Sequence, residues 1–304
     1  MPEGPSIKIT ANQLRAALEH RRVDHFSSRF KKAAAEDWAA RIVGRRVEAV
    51  RTHGKNLFLD FDSGWTLYSH MLMWGSWHVY AHGEEWRKEE KKSRVIIHTA
   101  EHVVVLFSAP VCELVPTAEL ASHRTATLGP DLLCDDFDAA EAWRRFQAPE
   151  ARDLPLGEAV MIQDLIAGIG NILKCEVLFL AGLHPLRPAG SLSPDEFNLF
   201  LGLSGEAMRR SVEAGGFETV FLPPAIMAET RKFGYVYRRR TYPCFVCATP
   251  IEMVRQGNLR RMTWFCPQCQ PLRGPALPVA ERPGCVPDWM PAWQRGLAQQ
   301  AREV

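Results

Sequence analysis

The chain has 304 residues and a mass of 34.3 kDa, 46% hydrophobic and 24% charged. That is enough apolar material for two or three packed domains, and it excludes a mainly disordered, collagen-like or disulfide-knotted protein. Net charge is only +2, so overall charge selects neither nucleic acid nor a membrane as partner. The longest apolar runs, such as Val103 to Phe107 and Val177 to Leu183, fall far short of the roughly 20 residues of a membrane-spanning helix.

The chain opens Met1-Pro2-Glu3-Gly4-Pro5. An acid stands where a secretory leader carries bases, with no apolar core behind it, so a cytosolic protein is expected. Met1 precedes a small residue and its removal is expected, which leaves Pro2 as a free secondary amine. An N-terminal amine titrates about two units or more below lysine, so more of it is neutral and nucleophilic near neutral pH. Its attack on a sugar C1′ gives an iminium directly, and Glu3 can carry the proton. In isolation the same residues read as an ordinary chain start.

Residues 7 to 20 have helical spacing, with Leu14, Ala17 and Leu18 on one side. Strand-like runs follow at Arg46 to Arg51, Lys55 to Phe61, Trp65 to Met71, Trp77 to Ala81, Arg94 to Thr99 and His102 to Phe107, divided by turns such as Asp62-Ser63-Gly64 and His82-Gly83. Such repetition predicts a β-sandwich or barrel of about 110 residues behind a helix. Glu84 to Lys92 reads as an exposed loop or hairpin tip with solvated charges.

From about Asp136 the pattern turns helical, at Ala139 to Phe146, Leu156 to Leu165, Asn171 to Ala181 and Ser193 to Glu213. Within it, Gly168-Ile169-Gly170-Asn171 ends one helix and starts another, with Asn171 as N-cap. Leu173, Val177 and Leu180 supply that helix's packing face, and its amide-rich start is a phosphate site. A tight helix connection of purely structural purpose looks alike.

Between Glu229 and Met262 eight basic residues face two acidic ones, a local polyanion footprint on a neutral chain, or a solvated face. Cys244, Cys247, Cys266 and Cys269 form two C-x2-C pairs eighteen residues apart, the spacing of a four-thiolate structural zinc site with a hairpin between its halves. Gln256-Gly257-Asn258 is the expected turn. Disulfides compete as a reading, but a cytosolic setting disfavours them. Cys112, Cys134 and Cys175 are expected to be small buried hydrophobes. The Pro-rich tail, with Trp289 and Trp293, carries no readable motif.

Met1 to Pro5, Thr52-His53-Gly54-Lys55-Asn56-Leu57, Gly168 to Asn171 and the terminal cysteine pattern occur in one order that resembles the formamidopyrimidine-DNA glycosylase and endonuclease VIII family of base-excision repair enzymes, over residues 1 to about 270. The resemblance implies an α+β multidomain fold. Its parts would be a catalytic two-layer β-sandwich over 1–135, a helix-two-turn-helix DNA-binding domain over 136–230, a zinc-finger β-hairpin over 231–271 and a tail of unread role over 272–304. It implies a bifunctional glycosylase and abasic-site lyase that removes oxidised bases from duplex DNA and nicks the strand by β,δ-elimination, as a monomer with one structural zinc.

Carried over residue by residue, the nucleophile falls on Pro2, the general acid/base on Glu3 and the phosphate-gripping lysine on Lys55. Asn171 and Arg261 fall on the phosphate contacts of the helix-two-turn-helix and the zinc finger. Leu72, Met73 and Trp74 fall on the wedge that fills the hole left by an extruded base, although Leu67 to Gly75 also reads as a buried strand. Leu67-Tyr68-Ser69-His70 and Trp77 look closer to the endonuclease VIII branch, favouring oxidised pyrimidines over 8-oxoguanine. Ser6 stands where many members carry Glu, and Ile162-Gln163 where Asp-Gln is common. A zinc-finger DNA-binding protein without chemistry is the competing reading, which Pro2, Glu3 and Lys55 argue against; a zinc ribbon of RNA metabolism leaves the N-terminus unexplained.

Overall fold

The computed structural model describes residues 2–216, 220–230 and 234–272. The expectations that fall on Met1, Arg231, Lys232 and the tail with Cys285, Trp289 and Trp293 lie outside the described residues. Two compact units are present, dividing after Leu128, where the sequence reading put the change near residue 135.

The first unit begins with helix α1, Gly4–Leu18. It starts three residues earlier than its periodicity suggested, because Pro5 suits the first helical turn, where a missing N–H costs nothing. Its apolar face, Ile7, Ala11, Leu14, Ala17 and Leu18, is buried. Strand β1, His25–Ser28, and two short helices, α2 at Lys31–Ala35 and α3 at Trp38–Ile42, follow. Then come β2 Val47–His53, β3 Asn56–Phe61, β4 Trp65–His70, β5 Ser76–Ala81, β6 Ser93–His98, β7 His102–Phe107 and β8 Val111–Pro116.

All pairings are antiparallel, in two four-stranded sheets ordered β1-β6-β7-β5 and β2-β3-β4-β8. Val50, Leu57, Leu59 and Leu67 of one sheet share a core with Trp77, Val95, Ile97, Val104 and Leu106 of the other and with α1, which makes the expected sandwich. Strand β1 was missed because it is only four residues long and polar at His25 and Ser27, and β8 because Glu113 interrupts its apolar run.

In the second unit, α4 spans Ala139–Phe146, α5 Pro149–Arg152, α6 Leu156–Ala159, α7 Asn171–Leu180, α8 Pro194–Glu213 and α9 Pro224–Thr230. Strands β9, Glu252–Gln256, and β10, Arg261–Phe265, form the hairpin. The helix expected over 156 to 165 is a single turn. Beyond it the Gln163 amide donates to the carbonyls of Met161 and Ile169 and accepts from the Gly168 N–H, which replaces helical bonding with a knotted turn. Helix α8 closes its start with a capping box between Ser193 and Glu196. Cys112 and Cys175 are buried as expected, but Cys134, also expected inside, is exposed.

Candidate active site and nucleic-acid interface

Pro2 is half-buried at the head of α1, and Glu3 is its N-cap, fully buried. The Glu3 carbonyl starts the helix by accepting the Ile7 N–H at 3.1 Å, while its side chain makes no capping bond. A buried carboxyl group is costly unless it is held by partners or put to use.

Lys55 lies in the two-residue turn between β2 and β3, where His53 pairs with Asn56. Gly54 takes a left-handed φ of 57° and Lys55 does not, the pattern of a turn with glycine first. The Asn56 amide braces this turn, donating to the His53 carbonyl at 2.9 Å and accepting from the Tyr68 hydroxyl at 2.9 Å.

Register then fixes what stands beside Lys55. Asn56 pairs with His70, the last residue of β4, so the Lys55 turn and the loop leaving β4 share one end of the sheet. Burial, with Lys55 and Arg124 as neighbouring positive charges, lowers the His70 pKa, and its Nδ1 accepts the Leu72 N–H at 3.1 Å. The strand ends at His70. Leu72, Met73 and Trp74 lie beyond it, 48%, 51% and 76% exposed, with Leu72 at a left-handed φ of 46°. The buried-strand reading therefore holds as far as His70, and an exposed apolar tip follows it. Gly75 closes the loop by donating its N–H to the Met71 carbonyl at 2.8 Å. A Cβ there would stand 2.6 Å from that oxygen and 3.0 Å from the Ala109 Cα, so glycine is required.

In the second unit the N-cap of α7 is Gly170, not Asn171. Asn171 is the first helical residue, 6% exposed, and its Nδ2 donates to the Met262 carbonyl on β10 at 3.0 Å; its buried Oδ1 has no partner. The side chain bridges elements rather than capping its own helix. Arg261 opens β10, paired with Gln256, just past a turn of residues 257–260 that is one step later than expected. Its guanidinium is partly exposed, with Nε buried and without a partner.

The four cysteine sulfurs lie within 4.8 Å of one another, Cys244 to Cys269 at 3.9 Å and Cys247 to Cys266 at 3.4 Å. A tetrahedral zinc with bonds of about 2.3 Å needs sulfurs about 3.8 Å apart, so the set fits. Each pair is built as a knuckle. The Val246 N–H points at Cys244 Sγ and the Cys269 N–H at Cys266 Sγ, both at 3.4 Å, and Ala248 adopts a φ of 61° to return its N–H to the Cys244 carbonyl.

Sequence reasoning missed the buried polar bonds that fasten this hairpin to the helices. Lys174 Nζ donates to Thr263 Oγ1 at 2.6 Å, Gln256 Nε2 to the Pro185 carbonyl at 3.0 Å and Gln270 Nε2 to the Leu183 carbonyl at 2.8 Å. The Glu176 carboxylate accepts three backbone N–H groups, from Tyr235 at 2.6 Å, Val236 at 3.0 Å and Tyr237 at 2.8 Å. The only sequence signal was polarity at helical positions that otherwise read as core.

Burial pushes Glu176 up to about 6 from an ordinary 4.5, against the three donors. Its folded value lies above the unfolded one, so its contribution to stability is complete below about pH 4.5 and is lost as pH rises through 6. Urea unfolding of wild type and Glu176→Gln should therefore show their difference moving against the wild type by about 2 kcal/mol between pH 4.5 and 7. A drift of the opposite sign would mean that the three N–H donors outweigh desolvation.

The comparisons with known proteins agree with this architecture. Residues 1–110 match the family model described as the formamidopyrimidine-DNA glycosylase N-terminal domain, and residues 128–221 its H2TH domain. A probable endonuclease 8 of Streptomyces coelicolor is 34% identical over 94% of this chain and 99% of its own length. A formamidopyrimidine-DNA glycosylase of Methylococcus capsulatus is 31% identical, over 89% of this chain and all of its own. The crystal structure of the Lactococcus lactis formamidopyrimidine-DNA glycosylase bound non-covalently to DNA with an abasic site shares the fold, with a TM-score of 0.72 at 20% identity over 88% of this chain and 99% of that one.

Proposed function

The chain belongs to the formamidopyrimidine-DNA glycosylase and endonuclease VIII family, and from that premise we propose a base-excision repair enzyme that removes oxidised bases, pyrimidines foremost, from duplex DNA and then nicks the abasic strand. Glu3 carries the proposal. It is a fully buried carboxyl group that does not cap its helix, set directly behind a half-buried N-terminal proline. Beside the Pro2 amine this carboxyl group has a proton-transfer role that a protein which only binds DNA does not need, so the non-catalytic reading is the weaker one.

In the proposed reaction electrostatic capture precedes kinking and extrusion of the lesion. Leu72, Met73 and Trp74 fill the vacated stack, Lys55 and Arg261 neutralise phosphates, and Asn171 makes an uncharged phosphate contact. The Pro2 nitrogen forms a bond to C1′ as the base leaves, and Glu3 supplies a proton to the ring oxygen as the C1′–O4′ bond breaks, which opens the sugar and gives an iminium. β-Elimination then breaks the bond to the 3′ phosphate and δ-elimination the bond to the 5′ phosphate; hydrolysis of the imine returns the amine. Cys244, Cys247, Cys266 and Cys269 hold a zinc that fixes the Arg261 hairpin and takes no part in the chemistry. The preference for pyrimidines rests on Leu67 to His70 and Trp77, and the enzyme acts as a monomer.

Borohydride reduction on a duplex with one abasic site tests the reading. The native protein should form a covalent adduct, and both Pro2→Gly and a variant with one added N-terminal residue should lose most of it. DNA binding with no adduct from the native protein would instead favour the binding protein.

A further inference from the structure

The charged segment after β5 is an exposed loop, as expected, but it is braced against the sheet. Trp86 stacks on Tyr80, with ring centroids 6.1 Å apart, and meets Phe107 edge-on at 5.6 Å, which pins the segment to the outer face of the β1-β6-β7-β5 sheet. Lys88 Nζ donates to Ser76 Oγ at 2.7 Å. Ser76 then has its one proton for His78 Nε2 at 2.9 Å, and His78 Nδ1 is left to donate to the Tyr80 hydroxyl at 3.1 Å. The Tyr80 hydroxyl also accepts the Arg87 N–H.

This bracing holds Lys88, Lys91, Lys92 and Arg94 around one pocket of about 660 Å³, completed by Ser108 and by the exposed Trp74 indole. Glu89 pairs with both Lys91 and Lys92, Glu90 reaches Arg29 at 3.6 Å, and the Arg94 guanidinium lies 5.4 Å from the Phe30 ring centre. Four cations thus line the pocket against one shared carboxylate. An aromatic face beside converging cations is the chemistry that takes a stacked base with its phosphate.

We propose that this pocket is a second DNA subsite, seating a backbone phosphate next to the extruded nucleotide with the adjoining base on Trp74. The subsite rests on the repair reading and adds a contact that the Lys55, Asn171 and Arg261 set does not include. It gives the wedge loop an electrostatic anchor at its own base, so that kinked DNA is held where the stack opens.

The test uses the full chain and an abasic duplex in fluorescence anisotropy across a salt series. Lys88→Gln/Lys91→Gln/Lys92→Gln should bind about tenfold more weakly, with a salt slope shallower by about 1 to 2. Uncharged methylphosphonate linkages placed one at a time should abolish the difference between this variant and the wild type at one position near the lesion. An unchanged slope, or a difference that persists at every position, would overturn the subsite, the second by showing diffuse surface charge only. Borohydride trapping of the wild type reads the underlying activity separately. Its failure ends the lyase reading, whereas trapping with an unchanged slope ends the subsite alone.

Discussion

Glu3→Gln is expected to slow excision of an oxidised pyrimidine by about a hundredfold to ten-thousandfold, the range that a positioned general acid or base contributes. Gln keeps the volume of the buried side chain and Glu3's backbone role at the head of α1, where the Ile7 N–H is accepted by its carbonyl. Stability and affinity for abasic duplex should therefore stay near wild type. Formation of the imine on a ready-made abasic site should suffer less, because no base has to leave. Single-turnover excision and borohydride trapping, measured side by side, separate the two steps. Excision within a few-fold of wild type would reduce Glu3 to a structural carboxylate and move the proton transfer elsewhere.

The sandwich was legible in the sequence because alternation survives wherever one sheet face is buried, as in β6, where Val95 and Ile97 point inward and Arg94 outward. Helix α7 and the cysteine knuckles were legible from spacing alone. The single turn at Leu156–Ala159 was not, because the bonds that end it come from the Gln163 side chain, and Gln is otherwise a good helix former. The role of Asn171 was misread for a related reason: its partner Met262 lies 91 residues away, and a local capping rule cannot see it. Lys174 and Glu176, both fully buried on α7, gave no signal in the sequence beyond their polarity. Only the fold shows that each holds a distant backbone or hydroxyl group. The pinned segment from Glu84 to Lys92 is similar, since its order comes from Trp86 packing on the sheet.

Removal of zinc should unfold the hairpin and weaken DNA binding at least tenfold at physiological salt, while the Pro2 amine stays competent. Two sets of interactions hold the hairpin, and their sizes decide the outcome. The bonds from Asn171, Lys174, Gln256 and Gln270 contribute about 1 kcal/mol each net. Structural zinc contributes about 10–16 kcal/mol in isolated fingers at neutral pH, so the protein bonds do not replace the ion. The loss reaches further than the sulfurs, because Cys244, Ile251, Trp264, Cys266 and Cys269 share the core of the second unit. Hydrogen exchange over residues 252–265 of chelator-treated protein should lose its protection, and anisotropy should show the affinity fall. Since Pro2 and Glu3 belong to the first unit, borohydride adducts should still form at saturating DNA. If the stripped protein kept both its protected hairpin and its affinity, the polar bonds would suffice and zinc would be dispensable to DNA binding; if adducts vanished even at saturation, the metal site would bear on the chemistry itself.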